Sequence, residues 1–196
     1  LAAGAMDGTI SVWRTAGAAL HSTWQGHNAA VSDVTFSPDG KTLATATSDE
    51  TVRLWQVDNG DLLNTLAGHE HLVNSIAFAP DGQTIVSASS DEMVRLWRVA
   101  GGVLLKTLRG HRGSVNSVAF APDGETFASA AGDKTVRLWH AADGTLLNTL
   151  AGHTADVNTV AYSPDGQTVA SGSSDNTVRL WQVSDGALRQ TLAGHV

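Results

Sequence analysis

Hydrophobic residues along the chain fall into short runs that alternate with polar residues and are separated by turns. In the stretch from residue 69 to residue 110, such runs cover residues 73–78, 84–88, 93–97 and 103–108. The sequence Pro80-Asp81-Gly82 indicates a tight turn, because proline fixes φ and glycine adopts positive φ. Alternation over about five residues is the pattern of a β-strand and is too short for a helix. The stretch therefore predicts four strands joined by short turns.

This pattern repeats every 42 residues. His69 lies 42 residues after His27, and Trp97 lies 42 residues after Trp55. Residues 111–152 and 153–194 are identical at 24 of 42 aligned positions, without a gap. Repetition with this period predicts a series of small antiparallel sheets, each of which buries its faces only by packing against its neighbours. The units are residues 1–26, which is partial, 27–68, 69–110, 111–152 and 153–194.

Each complete unit carries the same motifs in the same order: a Gly-His pair at its start, Pro-Asp-Gly, a hydroxyl residue four positions before an aspartate, and Thr-Val-Arg-Leu-Trp or a close variant. In this order and spacing the unit resembles the WD40 repeat, and the resemblance covers the whole chain. The tryptophan is never followed by the aspartate of the family name, and Arg14, Gln56, Arg98, His140 and Gln182 stand there instead. The resemblance implies an all-β fold: a β-propeller or a segment of one, with five blades of four-stranded antiparallel sheet, of which the first lacks its innermost strand.

The resemblance also implies a hydrogen-bonded tetrad of side chains in each complete unit, running from tryptophan through a hydroxyl and a histidine to an aspartate. An indole N–H only donates, a hydroxyl donates and accepts, and a carboxylate accepts, so such a chain is satisfied throughout. The partial first unit has Ala3 at the hydroxyl position and no histidine, so its tetrad is incomplete. His195 has no hydroxyl, aspartate or tryptophan partners after it in the sequence. The implied tetrads are His27, Thr45, Asp49 and Trp55; His69, Ser87, Asp91 and Trp97; His111, Ser129, Asp133 and Trp139; and His153, Ser171, Asp175 and Trp181.

Serine, histidine and aspartate also occur together in hydrolase triads. Here the same constellation occurs four times at identical spacing, whereas an active site is normally built once, and the chain has no Gly-x-Ser-x-Gly sequence. We therefore expect no catalytic residues and no enzyme activity. The motif His69-Glu70-His71 has a spacing found in metal sites, but His69 already belongs to a tetrad, so we expect no metal there. The recurring arginines of the third strand predict a structural or solvated role; they are Arg53, Arg95, Arg137 and Arg179.

Composition narrows the function further. The 196 residues carry 12 Lys and Arg against 19 Asp and Glu, a net charge of −7, which disfavours binding to nucleic acid. The absence of cysteine excludes disulfides and thiolate chemistry. No apolar run reaches the roughly 18 residues that a membrane span needs, so we expect no membrane partner. We also expect no cofactor and no small-molecule substrate. The sequence names no compartment, and a cytoplasmic location is favoured.

Positions that differ between units are not fixed by the fold, so they are candidates for function. In WD40 propellers, the loops before the innermost strand and between the second and third strands form the usual partner-binding rim. Most residues at the matching positions here are small or polar, and Glu70, His71 and Arg112 lie beside them. The candidate rim consists of Met6, Ala30, Ser32, Ser48, Leu72, Asn74, Ser90, Ser114, Asn116, Asp156, Asn158 and Ser174.

The resemblance implies a non-catalytic scaffold or recognition domain that binds a protein or peptide. Very regular WD40 arrays resemble those attached to bacterial signalling proteins, so we expect the module of a larger signalling or sensor protein. A second interpretation is a self-assembling structural module that binds other copies of itself, because an open array exposes an apolar face at each end. Three accounts of the ring stay open: part of a larger propeller, a ring shared between copies, and a five-bladed ring.

Overall fold

The chain folds into a series of antiparallel β-sheets. The computed structural model describes residues 1–194, so His195 lies outside the described residues. Its nineteen strands form five sheets, one of three strands and four of four strands. The only helical segments among the described residues are two single 3₁₀ turns, Ala16–Ala18 and Ala100–Gly102. The all-β fold predicted from the sequence is therefore confirmed, including a first sheet with one strand fewer than the others.

The sheets are numbered in chain order. Sheet 1 consists of β1 (Ala2–Gly4), β2 (Thr9–Trp13) and β3 (Leu20–Gln25). Sheet 2 consists of β4 (Val31–Phe36), β5 (Thr42–Thr47), β6 (Thr51–Gln56) and β7 (Leu62–Ala67). Sheet 3 consists of β8 (Val73–Phe78), β9 (Thr84–Ser89), β10 (Val94–Arg98) and β11 (Val103–Leu108). Sheet 4 consists of β12 (Val115–Phe120), β13 (Thr126–Ala131), β14 (Thr135–His140) and β15 (Leu146–Ala151), and sheet 5 of β16 (Val157–Tyr162), β17 (Thr168–Ser173), β18 (Thr177–Gln182) and β19 (Leu188–Ala193).

Every sheet is a simple meander, in which strands adjacent in the chain are adjacent in the sheet. The sheets then pack in chain order through their first strands, β4 against β8, β8 against β12 and β12 against β16, while β1 packs against β4. Within the described residues, sheet 5 has no substantial packing against sheet 1. The array is therefore open, with one face of sheet 1 and one face of sheet 5 left without a neighbouring sheet.

One packing pattern recurs at the junctions between sheets. At the junction of sheets 4 and 5, Leu138 and Leu150 of sheet 4 lie in one buried cluster with Val160 and Trp181 of sheet 5. Equivalent clusters join sheets 2 and 3 and sheets 3 and 4, and a smaller cluster joins sheets 1 and 2. Each junction thus packs aliphatic side chains of one sheet against a tryptophan of the next, which explains why the tryptophan recurs in every complete unit.

The first strand of each four-stranded sheet contains a β-bulge near its beginning. In β8, the register with β9 shifts between Val73 and Ser75, so Asn74 is the extra residue. The same shift occurs in β4, β12 and β16. A bulged residue is left out of the ladder and its side chain is redirected. Each bulge residue therefore becomes free to contact the neighbouring sheet.

The strand boundaries agree closely with those predicted from the alternating pattern. The fourth strand of unit 69–110, β11, covers the predicted residues 103–108. The third strand begins at Val94 rather than at Met93, because Met93 closes the preceding turn: its carbonyl accepts from the Ser89 N–H at 3.2 Å. The fold therefore differs from its sequence prediction by single residues at turn boundaries.

Candidate functional site

A continuous chain of four side chains crosses the interior of sheet 3. The Trp97 indole N–H donates to Ser87 Oγ at 2.8 Å, Ser87 Oγ lies 2.7 Å from His69 Nε2, and His69 Nδ1 lies 2.8 Å from Asp91 Oδ2. The indole can only donate and the carboxylate only accepts. The hydroxyl therefore donates to His69 Nε2, and the neutral imidazole donates its Nδ1–H to Asp91.

The structure brings together the corresponding residues of sheets 2, 4 and 5 in the same way. The indole-to-hydroxyl distances are 2.9, 2.8 and 2.8 Å, and the distances from the histidine to the hydroxyl are 2.7, 2.8 and 2.8 Å. The distances from the histidine to the aspartate are 3.1, 2.9 and 2.8 Å. The hydroxyls and histidines are all buried. The residues are His27, Thr45, Asp49 and Trp55; His111, Ser129, Asp133 and Trp139; and His153, Ser171, Asp175 and Trp181.

The local backbone conformation positions the histidine and the aspartate of each tetrad. In unit 111–152 the histidine follows Gly110, whose φ of +148° favours glycine, and a Cβ built there would meet the Arg137 guanidinium. The aspartate sits in a turn, where the Thr135 hydroxyl donates to Asp133 Oδ1 at 2.7 Å and the Thr135 N–H donates to the same atom at 3.1 Å. In this unit, the Gly-His pair positions the histidine and the Asp-x-Thr turn positions the aspartate.

We expect Gly110→Ala to lower the free energy of unfolding by about 1–3 kcal/mol, because the added Cβ combines an unfavourable φ with a contact against Arg137. Urea denaturation measures this loss. Gly132→Ala in the same sheet is the matched control, because its Cβ would meet no atom closer than 3.6 Å. Equal destabilisation by the two substitutions would contradict the account of Gly110.

Two of the recurring arginines reach the tetrad aspartate. In sheet 3, Arg95 is 8 % exposed and its Nη1 lies 2.5 Å from Asp91 Oδ2. In sheet 2, Arg53 is less buried, its Nη2 lies 3.4 Å from Asp49 Oδ2, and its Nη1 donates to the Gly26 carbonyl. Sheet 3 is the sheet in which Met93 replaces the turn threonine. A guanidinium donor thus supports Asp91 where the threonine hydroxyl is missing.

Burial favours the neutral form of His27, His69 and His111, and hydrogen bonding favours the ionised form of the tetrad aspartates. Burial lowers the pKa of His27, His69 and His111, and the neighbouring aspartates only partly oppose this. Burial acts against ionisation of Asp49, but hydrogen bonds from Thr47, Thr51 and His27 lower its pKa to about 2. The pKa of Asp91, Asp133 and Asp175 is also lowered, since hydrogen bonds to these carboxylates outweigh their burial. At neutral pH, the tetrads of sheets 2 to 4 therefore contain a neutral histidine and an ionised aspartate.

The candidate rim residues lie at one end of the sheets, in two loops that are hydrogen-bonded to each other and at the bulge in the first strand that follows one of these loops. The Ser90 N–H, in the turn after the second strand, donates to the Leu72 carbonyl before the first strand at 2.9 Å. The same bond joins Ser48 to Ala30 at 3.0 Å and Ser174 to Asp156 at 2.9 Å. In sheet 4, the Gly132 N–H donates to the Ser114 carbonyl at 2.9 Å. The structure thus brings the two predicted loops of sheets 2 to 5 together in pairs.

Several of these polar side chains are used to join one sheet to the next. Asn74 Nδ2 donates to the Val115 carbonyl at 2.9 Å and also lies 3.1 Å from Ser90 Oγ and 3.0 Å from Ser114 Oγ. Asn116 Nδ2 donates to the Val157 carbonyl at 3.0 Å, and the Ser32 hydroxyl donates to the Val73 carbonyl. We name Ser32, Asn74 and Asn116 the inter-sheet clasp. Their role in joining sheets could not be predicted from the sequence.

We expect Asn116→Ala to destabilise the chain by about 1 kcal/mol, because it leaves the Val157 carbonyl without the side-chain donor of the neighbouring sheet. Asn158→Ala is the control, because Asn158 Nδ2 donates to Ser174 Oγ within its own sheet at an exposed position. Thermal unfolding of both variants measures the difference. If Asn158→Ala is as destabilising as Asn116→Ala, the clasp does not stabilise the junction between sheets.

The rim residues differ in how much surface they offer to a partner. Exposed members are Met6, Ser32, Ser48, Asp156, Asn158 and Ser174, and half-buried members are Ala30, Leu72, Asn74, Ser90, Ser114 and Asn116. Glu70, His71 and Arg112, which flank the half-buried Leu72 and Ser114 in the sequence, are exposed. The accessible part of the rim is therefore made of single exposed side chains around a half-buried leucine.

A cleft at the opposite end of the sheets was not predicted from the sequence. It has a volume of about 460 Å³, lies between sheets 3 and 4 and is lined in part by Asp81, Asp123, Glu125 and His140. His140 Nδ1 lies 3.0 Å from Asp143 Oδ1, so this histidine is paired locally. The turns that form the cleft each look like ordinary turns in the sequence, and only the packing of two sheets brings them together.

Among residues 1–194, no group of three His, Cys, Asp or Glu side chains could hold a metal ion. In the His69-Glu70-His71 motif, both ring nitrogens of His69 contact tetrad partners, while His71 is exposed. In this part of the chain, no helix has the length and apolar character needed to cross a membrane.

Comparison with known proteins agrees with the repeat found in the sequence. The family model described as WD domain, G-beta repeat matches residues 19–56, 60–98, 102–140 and 144–182. A comparison with curated proteins gives no match. Each matched segment begins just before the last strand of one sheet and ends with the third strand of the next sheet, and each contains one complete tetrad.

Proposed function

We propose, from the WD40 repeat family to which the chain belongs, that it binds a protein or peptide partner. Domains of this family are typically non-catalytic scaffolds for protein–protein interaction. The proposed binding surface is the rim formed by the loops before the first strand and after the second strand of each sheet. The finer proposal, a recognition module of a larger signalling or sensor protein, rests on the regularity of the repeats.

The observation that carries the proposal is the contrast between a repeated interior and a varied rim. The tetrad geometry is the same in four sheets, whereas the residue before the first strand changes from Ala30 to Leu72, Ser114 and Asp156. Leu72 is apolar and half-buried, and His71 beside it and Arg112 in the corresponding loop of sheet 4 are exposed. We propose that Leu72, His71, Arg112 and the exposed Asp156 make the main contacts with the partner. Arginine is enriched among residues that dominate binding energy.

The buried tetrads support a non-catalytic role. Ser87 Oγ accepts the Trp97 indole N–H and is fully buried, so it presents no nucleophile to a substrate. The same holds for Thr45 and Ser129, whose side chains are 0 % exposed. Asp156 is the one titratable member of the rim as defined above, and it is exposed.

A peptide selection tests the proposal. A random dodecapeptide library is selected against the wild-type chain, and the affinity of each selected peptide is then measured for the double variant Leu72→Ser, Asp156→Ala. We expect a loss of at least tenfold, because the variant removes the apolar contact and a charge of the rim.

The matched control is the double variant Asp81→Ala, Asp123→Ala in the cleft at the opposite end of the sheets. We expect the selected peptides to bind this control like the wild-type chain. Peptides that lose affinity for the cleft variant and retain it for the rim variant would place recognition at the other end and overturn the proposal.

A further inference from the structure

Four positions near the tetrad differ in charge from one four-stranded sheet to the next. They are the second residue before the tetrad histidine, the residue after that histidine, the residue after the tetrad aspartate, and the arginine of the third strand. In the other sheets only the arginine is basic, and the remaining three are Gln25, Asn28 and Glu50 in sheet 2, Ala67, Glu70 and Glu92 in sheet 3, and Ala151, Thr154 and Asn176 in sheet 5. In sheet 4 all four are basic, and we name them the basic corner: Arg109, Arg112, Lys134 and Arg137.

Two loops and one strand bring the basic corner together. The Arg112 N–H donates to the carboxylate of the tetrad aspartate at 3.1 Å, which holds Arg112 beside the turn that contains Lys134. The Arg137 guanidinium lies against Gly110, the residue after Arg109, where an added Cβ would meet it. Arg109, Arg112 and Lys134 are exposed. Four of the 12 Lys and Arg residues therefore lie at one corner of a chain whose net charge is −7.

The guanidinium of Arg137 is not taken up by the tetrad. In sheet 3, Arg95 Nη1 lies 2.5 Å from Asp91 Oδ2. In sheet 4, the Thr135 hydroxyl and the tetrad histidine bond the Asp133 carboxylate instead. Among the residues that the structure describes, Arg137 forms no ion pair, and its buried Nε has no hydrogen-bond partner. This arginine therefore keeps donors for a ligand that the described part of the chain does not supply.

The backbone does not require basic residues at the basic corner. Lys134 has a φ of +69°, and Glu92 holds the equivalent turn position of sheet 3 with a φ of +68°. The Arg112 N–H bonds its tetrad aspartate as the Glu70 N–H does in sheet 3, at 3.1 Å in both cases. The same conformation thus accepts acidic side chains, so the fold does not explain the positive charge of sheet 4.

We propose that the basic corner binds an acidic segment of a protein partner, one that carries several aspartate or glutamate side chains. Arginine presents a planar set of donors that matches a carboxylate in bidentate fashion. Because the four cationic groups come from two loops and a strand, separate carboxylates along an extended segment match them better than a single phosphate group does. Charge complementarity of this kind accelerates association and selects the partner. The inference goes beyond the proposed rim, beside which only Arg112 was placed.

Fluorescence anisotropy with a labelled octapeptide of alternating glutamate and serine tests the proposal at low ionic strength. The double variant Arg109→Ala, Arg112→Thr introduces the residues that sheet 5 carries at these positions, Ala151 and Thr154, so the fold accepts them. We expect this variant to bind the peptide at least tenfold more weakly than the wild-type chain. Raising the salt concentration from about 20 mM to about 300 mM should also weaken wild-type binding, because ions screen exposed charges.

The matched control is the double variant Lys41→Gln, Arg98→Gln at the opposite end of the sheets. Both residues are exposed, and glutamine stands at their equivalent positions Gln83 and Gln56. This control removes the same amount of positive charge as the variant of the basic corner. It should bind the acidic peptide like the wild-type chain, because the contact is local. Circular dichroism of each variant verifies that the sheets are folded.

A second pair of variants tests the unpaired arginine. Arg137→Gln should weaken binding of the acidic peptide at least threefold. Arg179→Gln is its control in sheet 5, because Arg179 also has no ion pair among the described residues but its neighbours at the other three positions are uncharged. We expect Arg179→Gln to leave the affinity unchanged.

Four results would overturn the proposal. They are no binding of the acidic peptide at low ionic strength, binding that the control variants weaken as much as the variants of the basic corner, equal affinity for a peptide with glutamine in place of glutamate, and tighter binding of a serine peptide with a single phosphoserine. The last would assign the basic corner to phosphate. None of these results bears on the selection at the rim, which is scored with Leu72→Ser, Asp156→Ala.

Discussion

Trp97→Ala is expected to lower the free energy of unfolding by about 3–5 kcal/mol, because it removes a large buried side chain from the junction of sheets 2 and 3. Trp97 is 1 % exposed, and its indole N–H is the donor that begins the tetrad of sheet 3. Trp97→Phe separates the two effects, since it keeps an aromatic ring and removes the donor. We expect this variant to cost about 1–3 kcal/mol.

Trp24→Phe provides the matched control for the loss of an indole donor. Trp24 packs against Trp55 with ring centroids 6.1 Å apart, but its buried Nε1 has no hydrogen-bond partner. Replacing it by phenylalanine therefore removes no hydrogen bond, and we expect a smaller loss than for Trp97→Phe. Urea denaturation at pH 7.5 measures both variants. A loss for Trp24→Phe equal to that for Trp97→Phe would show that the tetrad bond contributes nothing beyond packing.

Acid should destabilise the chain from just below neutral pH, and this is the second large effect. Burial lowers the pKa of His27, His69 and His111 below 6.5, so the unfolded chain binds their protons first. Their contribution to stability is complete above pH 6.5 and is lost as the pH falls below it. Three such protons give a slope of up to about 4 kcal/mol per pH unit.

The aspartates extend this loss to lower pH. Their pKa is lowered in the folded chain, so their contribution is present above about pH 3.8, the ordinary value, and disappears as the pH falls through the folded values. Urea denaturation between pH 7.5 and 5 isolates the histidine part. His71→Gln is the control, since His71 is exposed and outside the tetrads, and its profile should match the wild type. Stability that stays constant from pH 7.5 to 5 would contradict the buried neutral histidines.

Much of the fold could be predicted from the sequence because its determinants are local and repeated. Alternating runs and turns such as Pro80-Asp81-Gly82 define the strands within a few residues. The partners of a tetrad could be named because an indole, a hydroxyl, an imidazole and a carboxylate form one satisfied order of donors and acceptors. Recurrence at 42 residues then distinguishes this arrangement from a single catalytic triad.

The functional surface was harder to predict because it depends on contacts between sheets. Asn74 looks like a variable rim residue in the sequence, but the bulge in β8 turns its amide towards Val115 of the next sheet. Arg95 is more buried than Arg53, a difference that accompanies the change of one turn threonine to Met93. Such differences arise from the three-dimensional packing of neighbouring units, which a pattern within one unit does not contain.

Hydrogen exchange of the tryptophan indole protons, followed by NMR at pH 7, tests the tetrads most directly. The chain has six tryptophans, of which Trp55, Trp97, Trp139 and Trp181 donate to buried hydroxyls and Trp13 is half-buried without such a bond. The sixth, Trp24, has a buried Nε1 without a hydrogen bond. We predict strongly protected indole protons on the four tetrad tryptophans and a rapidly exchanging proton on Trp13. Exchange of the four tetrad indole protons as fast as that of Trp13 would contradict the hydrogen-bonded tetrads on which this account of the fold depends.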